Sequence, residues 1–213
     1  MNVYVNQMLT IWKKIPVWVW LLLPILTKTI VYATNRILHA DEAALALNIM
    51  ALDWRQLTGV LDFEQAAPLG FLYVTELITL LFGTSEYALR LFPFLCGIAA
   101  CVLLYKLCGY LLPKAIPIVM LWFAVNNFFN RYSTEFKQYS VDLMCAILLM
   151  IVTYKIIIQK QYRWLSWWTL IGIVAVWFSH ASVIVIAGTG ISIVIIAAYE
   201  KAWRHVLISI FAC

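Results

Sequence analysis

IPVWVWLLLPILTKTIVYA, residues 15–33, is an apolar run broken only by Pro16, Pro24 and the trio Thr27, Lys28 and Thr29. A helix crossing the hydrocarbon of a bilayer needs about 20 such residues. The run therefore predicts a membrane span, and similar runs recur to the end of the chain, separated by charged punctuation. Strands of a membrane barrel would instead alternate apolar and polar residues over short segments. Composition agrees: 65% of the residues are hydrophobic, 12% are charged, ten are Trp and the mean hydropathy is +0.92. These values lie far outside the range of soluble globular domains. The expected fold is an all-α, polytopic integral membrane bundle, with residues 1–213 forming a single transmembrane domain.

Working outward from this run, Lys13 and Lys14 precede it and the acids of residues 35–66 follow it. Residues 15–26 and the small residues near Ala33 approach the pattern of a cleaved signal peptide. The run continues past that core, which favours an uncleaved anchor with a cytoplasmic amino terminus and an acidic segment outside. The run from Pro68 to Phe82 is short and interrupted by Thr75, Glu76 and Thr79. If it crossed, the basic loops around Lys106 and Lys114, and around Lys155, Lys160 and Arg163, would face outward, against the positive-inside rule. It is therefore read as an interfacial or re-entrant helix in an outer loop of residues 35–86.

The remaining spans are expected at 87–108, 115–130, 139–158, 164–179 and 181–199, giving about six crossings. Another apolar run starts at Val206 in the last stretch, so the chain reads as incomplete. The net charge of +5 mostly flanks apolar runs. It is explained by orientation in the membrane, not by nucleic-acid binding. Cys96, Cys101, Cys108, Cys145 and Cys213 lie in or beside apolar runs with no CxxC spacing. They read as packing residues, without a disulfide framework or a zinc site.

Chemistry concentrates at HADEAALALNIM, residues 39–50, where two adjacent acids open a short helical run just past the first span. FEQAAPLGFLYV, SEYALRLFPFLCG, FFNRYSTEFKQYSVDL and FSHASV follow in order. Together these motifs resemble the amino-terminal half of the GT-C membrane glycosyltransferases, specifically glycosyltransferase family 39. That group includes the protein O-mannosyltransferases and the lipid A aminoarabinose transferases. The resemblance extends from about Lys13 to Ala198. It implies an inverting transferase that moves a sugar from a polyprenyl-phosphate donor to a lipid, protein or glycan hydroxyl on the outer face. The expected setting is a bacterial plasma membrane, with membrane lipids as further partners.

Such a displacement needs a carboxylate to take the proton of the attacking hydroxyl. The resemblance assigns that role to Asp41, with Glu42 beside it; the residues alone, without the surrounding motifs, favour Asp41 as the N-cap of a helix beginning at Glu42, and the two roles are compatible. Cations must meet the charge growing on the departing phosphate. Arg90, Lys137 and Arg131 are the candidates, with snorkelling to headgroups the other reading of Arg90. Glu64, Gln65, Tyr73, Glu135 and His180 are candidate substrate contacts. Glu135 could equally pair with Lys137, Tyr73 could anchor at the interface, and His39 and His180 could serve as hydrogen-bonded structural residues.

Where the aminoarabinose transferases have Lys, this chain has Gln65, which argues against that subgroup. Asp142, inside an apolar run, reads as a packing or network residue. Lys28 is either a functional charge or a snorkelling one. STEFKQYSVD contains no DxD and no Gly-rich nucleotide loop occurs, so neither a metal nor another cofactor is expected. A transporter or flippase subunit, or a membrane assembly protein without catalysis, remains the alternative class; neither would depend on Asp41.

Overall fold

The computed structural model describes residues 15–200. Among them it is entirely helical, with no strand. The helices are α1 (Val17–Ala33), α2 (Ala40–Ala51), α3 (Leu69–Phe82), α4 (Glu86–Leu111), α5 (Ile116–Val125), α6 (Asn127–Tyr132), α7 (Tyr139–Ile157), α8 (Trp164–Phe178) and α9 (Ser182–Tyr199). Short 3-10 turns lie at Gln56–Thr58 and Pro113–Ala115. Lys13 and Lys14, the loop beyond Glu200, Cys213 and the run from Val206 lie outside the described residues.

Among the described residues, three helices are long and apolar enough to cross a membrane: α4 with 26 residues, α7 with 19 and α9 with 18. The shorter apolar helices α1 and α8 pack beside them. At about 1.5 Å per residue, the 14 residues of α3 fall well short of the roughly 30 Å hydrocarbon thickness. The single run expected over 115–130 is two helices. Asn126 leaves the helical region at φ −75°, ψ 115°, and its side chain accepts from the amides of Phe128 and Phe129, so a capping residue breaks an otherwise apolar stretch.

α4 is the central pillar. Ser85 caps it, accepting from the amide of Ala88, and Glu86 sits in its first turn. On one side it meets α7 through Ala100, Leu107, Ile147 and Ile151. On the other it shares Cys108 with Trp20 of α1 and with Ile116 and Met120 of α5. α7 in turn carries α8 and α9 through Val152, Ile156, Leu165, Ile193 and Ala197. Cys96, Cys101, Cys108 and Cys145 are buried and unbridged, as packing residues would be.

The helix ends gather at two poles. At one, Tyr110 stacks on Tyr154 with centroids 5.2 Å apart, Lys155 lies over Trp164 and Lys160 pairs with Glu200. At the other, α2, the start of α4, the loop 133–138 and the turn 179–181 converge on a core of Leu45, Ile49, Phe71, Leu89, Phe136 and Val141. Two close approaches set this second pole. A Cβ at Gly70 would lie 2.7 Å from the Trp177 carbonyl, and one at Gly97 would lie 2.5 Å from Ser133 Cβ.

Candidate active site

His39, in extended conformation, precedes the first turn of α2, which begins at Ala40. This corrects the expected helix start at Glu42 with Asp41 as its N-cap: both acids lie inside the first turn, where the helix dipole favours negative charge. The Glu42 carboxylate reaches back to accept the backbone N–H of His39 at 3.0 Å, the reciprocal half of a capping box.

Glu42 is fully buried and accepts from four residues in three segments of the chain. Arg36 Nη1 donates at 2.8 Å, Arg90 Nε and Nη2 donate at 3.0 and 3.1 Å, and the Phe136 amide donates at 2.7 Å. Burial alone would raise its pKa. The Arg90 side-chain bond, the amides of Phe136 and His39 and the Arg90 charge outweigh burial and hold the carboxyl at about 2. A carboxylate so occupied has neither the basicity nor a free lone pair to take a substrate proton, so the structure gives Glu42 an organising place in the site. It also spends Arg90, which is 3% exposed and donates in addition to the carbonyls of Arg36 and Ile37. The expected contact of Arg90 with phosphate gives way to this pairing.

Asp41, one residue earlier, is exposed. Arg131 at the end of α6 donates from Nη2 to His39 Nε2 at 3.0 Å, two residues before Asp41 in the chain. Arg131 also stands 4.0 Å from Glu135, whose Oε2 is buried without a hydrogen bond. Glu135 therefore pairs with Arg131, not with Lys137. His39, Arg131 and Glu135 form one flank of the 133–138 loop.

The other flank is built on Lys137 and Gln65, bonded Nζ to Oε1 at 2.6 Å. Gln65 and His180 line a common cavity of about 670 Å³, walled by Leu57, Leu61 and Leu72. Ser179, fully buried, accepts the Ser182 amide at 3.0 Å, and at the start of α7 Oδ1 of Asp142 is buried without a hydrogen bond. Glu64 is exposed in a left-handed turn with Phe63, at φ 54° and 60°. Tyr73 is half-buried on α3, edge-on to Trp54 at 6.5 Å. Neither Glu64 nor Tyr73 is drawn into a polar contact with the two flanks.

Sequence reasoning missed Arg36 and Asn130. Arg36 stands six residues before Glu42, the one basic residue between the first span and the acids, and that position was the available signal. Asn130 is buried inside FFNRY, where an amide in an aromatic run marks a polar network.

A family model described as dolichyl-phosphate-mannose-protein mannosyltransferase matches residues 66–212. The matched segment contains Tyr73, Arg90, Arg131, Glu135, Lys137 and His180, and opens after the acid pair. No curated protein and no solved structure matches the chain.

Proposed function

This chain belongs to the dolichyl-phosphate-mannose-protein mannosyltransferase family, and on that premise we propose that Asp41 is the base of an inverting sugar transfer from a polyprenyl-phosphate donor. The family makes the protein a membrane glycosyltransferase of the GT-C type, mannosyltransferase-like, using a lipid-linked sugar and an acceptor in a membrane. In the proposed reaction the acceptor hydroxyl attacks the anomeric carbon on the outer face. Asp41 takes its proton, the glycosidic C–O bond breaks, and the bonding pair leaves on the phosphate oxygen.

One observation carries the assignment: of two adjacent acids, Glu42 is consumed by donors from three chain segments while Asp41 is left exposed on the same turn. A base held on a helix whose neighbour is locked keeps its direction without losing access to substrate. Arg131, bonded to His39 two residues before Asp41, and Lys137 across the loop supply positive charge for the departing phosphate. Gln65, Glu135 and His180 border the space left for sugar or acceptor.

The test uses membranes bearing the full-length parent protein and labelled polyprenyl-phosphate sugars. Asp41→Asn is compared with wild type and with Asp53→Asn. Asp53 accepts the amides of Arg55 and Gln56 at 2.9 and 2.8 Å, a local turn bond that Asn preserves. Loss of transfer in Asp41→Asn alone, at equal protein level, is expected. Unchanged transfer in Asp41→Asn overturns the assignment and returns the transporter and assembly readings.

A further inference from the structure

α1 and the helices α4 to α7 line a cavity of about 430 Å³, partly open, with Lys28 in its wall. Lys28 is 1% exposed, so it does not snorkel. Its ammonium donates to Asn130 Oδ1 at 3.1 Å and lies 4.2 Å from the centroid of the Phe123 ring. Asn130 is itself fixed: its amide nitrogen donates to the Ala124 carbonyl at 2.6 Å, and its Oδ1 also accepts the Thr27 hydroxyl at 3.2 Å. One amide oxygen and one ring face hold the ammonium in place and leave two of its three hydrogens without a protein acceptor.

Among the described residues no carboxylate forms an ion pair with Lys28. An intramembrane cation with no counter-charge is costly and marks a functional site by default. The hydroxyls of Ser133 and Ser140 in the same wall are already donated, to the carbonyls of Asn130 and Pro93. Lys28 is therefore the group in the cavity with positive charge and donors to give. Phe123, Phe129 and Leu143 make much of the remaining wall apolar, with Tyr132 and Tyr139 beside them.

We propose that this cavity receives the phosphate of the lipid-linked sugar donor, with Lys28 as its deep cation. The proposal rests on the transferase reading above and adds a site in the first helix, outside the segment matched to the family. The ligand is an amphiphile because a water-soluble anion gains nothing from the apolar wall, whereas a prenyl chain can leave between helices into the bilayer. The phosphodiester oxygens accept the two open Lys28 hydrogens as charge-assisted bonds. As the sugar departs, charge grows on those same oxygens and the contact strengthens.

The test measures binding of farnesyl phosphate to the full-length parent in phosphatidylcholine nanodiscs, by direct titration and by thermal shift. Lys28→Met is expected to unfold at or above the wild-type temperature without ligand, because it removes an uncompensated buried charge. Its affinity for farnesyl phosphate should fall at least about tenfold and its thermal shift should vanish. Lys28→Gln, which keeps a polar contact with Asn130, should lose binding equally. Asp41→Asn should bind like wild type, so failure of base catalysis and failure of this site are read separately. Wild-type affinity in Lys28→Met and Lys28→Gln overturns the proposal. So does an equal Lys28-dependent shift from inorganic phosphate, or from phosphatidylglycerol at the same mole fraction.

Discussion

Arg90 and Glu42 meet as a two-point pair, Nε to Oε1 at 3.0 Å and Nη2 to Oε2 at 3.1 Å, with both side chains withdrawn from solvent. The pair binds the start of α4 to the first turn of α2. Asp41, carried on that turn, is positioned by a contact in which it takes no part.

Glu42→Gln should therefore act through stability first. It leaves the guanidinium of Arg90 buried without its counter-charge, a loss of about 3–5 kcal/mol when one partner of such a pair is removed. The same carboxylate sets an acid limit. Its pKa is lowered on folding, from 4.5 to about 2, so its contribution is complete above the unfolded value and disappears as the pH falls through the folded one. Thermal unfolding in detergent should show the wild type losing on the order of 3 kcal/mol across that window, with Glu42→Gln lacking this component.

Arg131 is the opposite case. Its side chain is 52% exposed and its pairing with Glu135 is at the distance limit, so Arg131→Ala should change stability by no more than about 1 kcal/mol. If it meets the departing phosphate, kcat/KM for the donor should nevertheless fall by roughly 100-fold, with most of the loss in kcat. Steady-state transfer assays alongside unfolding curves separate the two effects.

Gly97→Ala should be costly although it lies in a helix. Its new methyl would collide with Ser133 Cβ, forcing α4 away from the 133–138 loop at about 1–3 kcal/mol. Gly188→Ala, with nothing within 4 Å of the new carbon, should instead gain up to about 1 kcal/mol from helix propensity. Unfolding temperatures of the two variants check the contrast.

The helical membrane fold was legible because apolar length is a local property: residues 86–111, 139–157 and 182–199 announce themselves without reference to anything else. Asn126 was harder, because the amides of Asn126, Asn127 and Asn130 in an aromatic stretch do not reveal which faces a neighbour and which caps a new helix. The acid pair was also legible, but its division of labour was not. Nothing near Glu42 in the chain indicates that Arg90, 48 positions away, and the Phe136 amide, 94 away, will close on it. Arg90 reads from sequence as free to meet a phosphate or to snorkel for the same reason: its buried partner lies far off in the chain. Lys137 and Gln65 show a milder form of this. The Gln stands where aminoarabinose transferases have Lys, and in the folded protein it is the acceptor for a lysine from another loop.

Glu42 also imposes an order of events on biosynthesis. It leaves the ribosome before Arg90 and well before Phe136, so for much of translation its carboxylate has only Arg36 and the His39 amide as partners. The segment carrying Asp41 is then an unfinished loop after the first helix. It closes only when α4 has formed and the chain has turned back through residues 133–138. Assembly of this pole is thus a late checkpoint: a nascent chain stalled before the 133–138 loop would display its acid pair without the contacts that fix Glu42.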